Sequence, residues 1–184
     1  MAIDFHLQSF ASSSNTLLAG KMITVGALGI YAGTALSYNA IIMPALRKFS
    51  SSSSVAIWHE TFTTAKNSQL SMIAASILGS AGLYYKTKNI SYLYSAAIVA
   101  TSIPYTLLTL LPINKKLFEI RHQNTVNGKS NSLKDSKSDD SVAEDLLRRW
   151  NRFHFGRTIM GFSAFFFALY GAISDRGVRF VLFK

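Results

Sequence analysis

Cysteine is absent from all 184 residues. That excludes disulfides, a thiolate nucleophile and any cysteine-held metal or iron–sulfur site. Also missing are a Walker loop, a GxGxxG turn and a GxSxG elbow, so nucleotide, flavin and haem have no motif to rest on. The four histidines, His6, His59, His122 and His154, form neither HxH nor HxxxH. A metal site would require His59, Glu60 and His154 to converge, so no metal and no cofactor is expected.

Charge is the most telling absence. Four stretches, 22–46, 67–85, 89–114 and 158–174, contain no Asp, Glu, Lys or Arg. Each is about long enough to cross the ~30 Å hydrocarbon core as a helix. The net charge of +10 would suggest nucleic acid in a soluble protein. Here Lys and Arg gather beside the ends of the uncharged stretches as topology determinants, and nucleic-acid binding is rejected. No basic n-region precedes an apolar h-region, so the first stretch is expected to be a retained signal-anchor in a multi-pass protein.

The expected fold is all-α, an antiparallel four-helix transmembrane bundle. A polar segment (1–21) precedes a single membrane domain (22–174) with spans near 22–46, 67–85, 89–114 and 150–174. A polar loop over 123–140, too poor in apolar residues to order itself, interrupts it, and a tail (175–184) follows. Gly29 and Gly33 form a GxxxG pattern in the first span, and Ala75, Gly79 and Gly82 repeat the small-residue device in the second. Packing within the bundle is preferred over a homo-oligomer through Gly29 and Gly33. Pro44 should kink or end the first span. The segment 55–66 reads as part of the first loop, lying near the membrane surface. Ser141 with Glu144 reads as a capping box opening the fourth helix, supported by Glu144–Arg148 and Asp145–Arg149 at i,i+4. Positive charge favours the first and third loops on the cytosolic side.

Antiparallel connectivity gathers four span ends on one side, and the unusual polar residues lie there. Asn39 sits inside the first span's exit, Tyr105 and Asn114 near the end of the third, and Trp58 in the first loop. Trp150, His154 and Arg157 fall at i, i+4 and i+7 on one face of the fourth helix. Singly, each has an ordinary role: Arg157 as a snorkelling cation, His154 as a headgroup neighbour, Trp58 and Trp150 as belt aromatics. Asn39 is harder to explain away, because an amide deep in a span wants an interhelical partner.

In linear order these pieces are "ALSYNAIIMPAL" (35–46), Trp58, "PYTLLTLLPINKKL" (104–117) and "LLRRWNRFHFGRTIMGFSAF" (146–165). The chain resembles the DUF1772 family of small four-helix membrane proteins, which includes the anthrone oxygenases. The resemblance implies oxidation of an anthrone-like aromatic to a quinone by O2 without a cofactor. It further implies His154 as base and Arg157 as anion stabiliser. Asn39 and Asn114 would hydrogen-bond substrate oxygens, and Trp58, Trp150 and Tyr105 would wall the slot. The expected partners are the lipid bilayer, a hydrophobic aromatic and O2, and the expected location is the endoplasmic reticulum or another intracellular membrane. The alternative is a non-catalytic membrane scaffold or small-molecule-binding protein. A transporter is disfavoured, because the spans hold no ionisable residue and no repeat symmetry.

Overall fold

A computed structural model describes residues 2–127 and 136–175, with side chains over 14–126 and 140–175. Among them the chain is entirely helical and builds four rods. The first is α1 (Ala2–Ser37), a π-helical turn (Tyr38–Ile42) and α2 (Met43–Leu46). The second is α3 (Ser51–Thr87). The third is α4 (Ile90–Tyr105), a second π-turn (Thr106–Leu110) and α5 (Leu111–Asn127). The fourth is α6 (Ser136–Ser174). Each rod packs on its neighbours in sequence, and the first closes the ring on the fourth.

Three of the rods are long and apolar enough to cross a membrane: Ser14–Leu46, Ile90–Val126 and Asp140–Ser174. The second rod is more polar because its inward face carries Gln69, Ser76 and Ser80, all buried. These groups are satisfied inside: Ser76 Oγ donates to Met72 O at 2.6 Å, and Ser80 Oγ lies 3.3 Å from Ser95 Oγ. The same rod turns Leu70 and Leu78 outward, as its neighbours turn out Ile23, Ile30, Leu108 and Ile173. Apolar outside with paired polar groups inside is the arrangement that a lipid solvent selects.

Three expected boundaries shift. Residues 55–66 are the opening turns of α3, so the first connection shrinks to Arg47–Ser50 and ends in an N-cap where Ser50 Oγ accepts from Ser53 N at 3.4 Å. The third rod continues past Asn114 to Asn127, into the stretch expected to be a loop. The fourth helix opens at Ser136, ahead of the Ser141 box. In each case the uncharged apolar stretch stops, whereas the backbone ladder does not. Residues 128–135, where the loop was expected, and the tail after Asp175 lie outside the described residues, as do the side chains of the N-terminal segment through 13. Both acid-first pairs form on α6, Glu144–Arg148 at 2.6 Å and Asp145–Arg149 at 2.8 Å.

Each π-turn stands two residues ahead of a proline, Pro44 or Pro112. Proline lacks the N–H that would reach back four residues, and its ring crowds that carbonyl. The ladder just upstream widens instead: Met43 N–H bonds Tyr38 O, and Leu111 N–H bonds Thr106 O. The rod then ends two residues after Pro44, at Leu46.

At the far end the rods are tied. Lys21 Nζ lies 2.9 Å from Asp175 Oδ2, with Lys21 only 3 % exposed. Lys88 takes a left-handed conformation (φ 58°) to turn α3 into α4, and Asn89 then caps α4 through Ser91 N. Asn89 Nδ2 also donates to Ser174 Oγ at 3.2 Å. Two apolar cores result. The far core gathers Leu28, Tyr31, Ile73, Tyr92, Val99 and Ala164. The near core gathers Met43, Val55, Trp58, Leu110, Leu117 and Trp150.

The small residues serve these contacts. Gly29 faces the Phe165 ring at 3.4 Å from where a Cβ would stand, while Gly33 faces open space. A Cβ at Gly79 would run into Thr24 Oγ1, whereas Gly82 has nothing near it. Gly79→Val is expected to cost about 1–3 kcal/mol through overpacking, and Gly82→Ala to cost nothing and gain up to about 1 kcal/mol of helix propensity. Thermal unfolding of the two variants in detergent checks this; equal melting temperatures would refute the contact.

Candidate functional site

Between the two cores lies a polar layer to which every rod contributes. Gln69 comes from α3, Asn39 from the first π-turn, Ser102 and Asn114 from the third rod, and His154, Arg157 and Thr158 from α6. Of these only Asn39 is not fully buried. An amide or cation at this depth must find a partner in the protein.

Asn39 is the hub. Its Nδ2 donates to Asn151 O at 2.9 Å and to Asn151 Oδ1 at 2.7 Å. Its Oδ1 accepts from Thr158 Oγ1 at 2.7 Å and lies 3.2 Å from His154 Nδ1. Because that oxygen can only accept, His154 carries its proton on Nδ1, and Nε2 keeps the free lone pair. The imidazole stacks on Trp150 at 4.4 Å between centroids, 14° from parallel. The Trp150 indole in turn donates Nε1–H to Asn114 Oδ1 at 2.8 Å. Tyr38 closes the cluster, its ring 5.3 Å from His154 and 5.5 Å from Trp150.

Arg157 occupies the other half of the layer. Its Nη2 donates to Gln69 Oε1 at 3.0 Å, and the guanidinium lies over the Tyr31 ring at 5.7 Å. Its Nε is buried with no hydrogen-bond partner, and no carboxylate among the described residues pairs with it.

A pocket of about 380 Å³ opens between the second and third rods and reaches this layer. Its wall is mostly apolar, including Phe62, Leu70, Ile73, Ile103, Leu107 and Leu111; Tyr38, Gln69, Asn114 and Arg157 supply polar groups, and Lys66 joins them. An apolar slot with a few convergent polar groups is the usual form of a small-molecule site.

The seven residues singled out from the sequence separate on this geometry. Arg157 and Asn114 line the pocket. Trp150 and His154 stand behind it, both 1 % exposed, with Tyr38 as the ring that reaches both them and the cavity. Trp58 meets Trp150 edge-on at 5.8 Å, but it belongs to the near core and does not wall the pocket. Asn39 organises the layer and faces a shallow depression with Leu36, Asn151 and Phe155. Tyr105 points elsewhere: its hydroxyl donates to Phe153 O at 2.8 Å, an approach permitted because Gly156 has no side chain. Tyr38, Gln69 and Thr158 were not singled out. An amide three residues inside a charge-free stretch is a signal that would have found Gln69.

A family model described as anthrone oxygenase matches residues 58–167. The match spans well over half of the chain and includes Gln69, Asn114, Trp150, His154 and Arg157, while Tyr38 and Asn39 precede it. Comparison with curated proteins and with solved structures gives no match.

Asn39→Leu would leave the His154 Nδ1–H without its acceptor and the Asn151 carbonyls without their donor. The expected loss is about 1–3 kcal/mol for each buried group left unpaired. Tyr105→Phe removes one more exposed bond and is expected to cost about 0.5–1.5 kcal/mol. Thermal unfolding of the pair in detergent, with Asn39→Leu melting lower, is the check; the reverse order would remove Asn39 as the hub.

Proposed function

The chain belongs to the anthrone oxygenase family, and from that premise we propose that its pocket oxidises an anthrone-like aromatic to a quinone with molecular oxygen. The ring CH2 loses two C–H bonds and gains a carbonyl. One oxygen atom enters the product and the other leaves as water with the two hydrogens, so no external reductant is consumed. Deprotonation of such a substrate spreads negative charge onto its ring oxygens, and the electron-rich anion reduces O2.

The observation that carries this reading is Arg157, a buried guanidinium with an unused donor at the wall of an apolar slot. A fixed charge in a water-poor site stabilises a developing oxyanion far better than one in solvent. Asn114 is the second group on the wall, held in orientation by the Trp150 indole. His154 is assigned as the base, since its imidazole stands one ring behind the cavity. Tyr38 is that ring, and its hydroxyl is proposed to pass the proton between them. Asn39, Trp58, Trp150 and Tyr105 then act on the structure of the site rather than on the substrate. The proposed setting is an intracellular membrane such as the endoplasmic reticulum, with substrate drawn from the bilayer.

One observation favours a second reading. His154 does not itself line the pocket, as suits a small-molecule-binding protein without chemistry.

Oxygen uptake by the purified chain in detergent, supplied with an anthrone, separates the two. The expected result is uptake matched by quinone formation and unchanged by a chelator. His154→Ala is expected to lower the rate about 10²–10⁴-fold while protein still accumulates. Arg157→Lys is expected to lose about tenfold or more, because a point charge does not reproduce the planar fork. Tyr38→Phe, which keeps the ring and removes the hydroxyl, should fall with His154→Ala if the hydroxyl passes the proton. No uptake by the intact chain would favour the binding reading, and activity that merely tracks variant abundance would make these residues structural.

A further inference from the structure

The pocket carries positive charge with nothing to balance it. Arg157 and Lys66 line it, and among the described residues no Asp or Glu does. Arg157 is 7 % exposed, so water does little to solvate its charge. Among the described residues its only side-chain hydrogen bond goes to an uncharged amide, and Nε has no partner. Glutamate has the shape of glutamine and at this position would neutralise the guanidinium, so the amide at Gln69 has a specific electrostatic consequence. It holds the cation in place and leaves its charge open.

We propose that the pocket selects its ligand as an anion, a planar aromatic phenolate or a like-shaped acid, and that Gln69 is the residue that sets this selectivity. The anionic oxygen takes the donors that Gln69 leaves over on Arg157, and the apolar wall takes the rings. Lys66, exposed where it joins the pocket, adds attraction for the same sign of charge. The inference rests on reading this cavity as the substrate site. It adds the ionisation state of what binds and the residue that discriminates it.

The test uses the full chain in detergent and two probes of similar shape, anthraquinone-2-sulfonate and neutral 2-methylanthraquinone. Binding is measured by equilibrium dialysis against protein-free micelles, which removes partitioning into detergent. The sulfonate is expected to bind about tenfold or more tighter, the margin of one charge-assisted contact. Gln69→Glu is expected to erase that preference and leave the neutral probe unaffected. Equal binding of the two probes to the unmodified chain, or a preference that survives Gln69→Glu, overturns the proposal. If Gln69→Glu does not accumulate, Arg157→Gln carries the test, and a preference that survives it is equally fatal. Oxygen uptake with an anthrone on the same preparation keeps the two ideas apart. Anion preference without uptake retires the oxygenase reading alone, and uptake without preference retires this one alone.

Discussion

The structure turns on one buried cation whose partner is an amide. A guanidinium out of water is tolerable only where its donors are used and its surroundings are polarisable or polar. Gln69 uses one donor, the Tyr31 face lies against the charge, and the residue lines the pocket, while Nε stays buried without a partner. This requirement accounts for the split into two cores. Above and below the layer the packing is mainly apolar, with serines and the Lys21–Asp175 pair satisfied locally; at its level each rod contributes a group that donates, accepts or lines the cavity.

The fourth rod is the common partner in that layer. Asn39 reaches Asn151, His154 and Thr158; Asn114 reaches Trp150; Gln69 reaches Arg157; and Tyr105 reaches the Phe153 carbonyl. Each of the other three rods thus reads α6 through at least one polar contact, and α6 presents them along two turns. Such bonds are individually modest in a membrane, yet each also fixes the rotation of one rod against α6. Rotation is what apolar packing alone specifies poorly when the outside is equally apolar. The same contacts set the imidazole's tautomer and aim the Asn114 amide, so packing and chemistry share their hydrogen bonds.

Much of this was legible in the residues. Runs without charge located the rods, and the i, i+4, i+7 spacing of Trp150, His154 and Arg157 did put them on one buried face. Membership of the pocket was not legible, because spacing tells which face of its own helix a residue occupies and not which neighbour it meets. Tyr105 and Tyr38 illustrate the difference: both are tyrosines near the exit of a span, and only Tyr38 faces the cavity. The extension of α3 and α5 beyond the apolar stretches was hidden for another reason. Hydropathy reports which stretches are apolar, whereas a helix's backbone ladder continues into polar sequence. Trp58 was assigned to a loop on that account, although it is 0 % exposed in the near core.

The π-turns have a consequence for phase. A helix turns about 100° per residue, and a π-turn inserts one residue. Along the first rod the buried positions Leu28, Tyr31, Ala35 and Tyr38 follow steps of three and four, then jump five to Met43 before Leu46. The jump coincides with the widened turn, which keeps Met43 and Leu46 on the face that Tyr38 already presents to the near core. Losing one residue inside that turn, such as Ala40, would let it close to an ordinary α-turn and leave Met43 and Leu46 on the face they now occupy. A one-residue gap elsewhere in the first rod has no widened turn to absorb it and re-aims the side chains beyond it by about 100°, so the π-turn is the one place in this rod where length can change without changing aim.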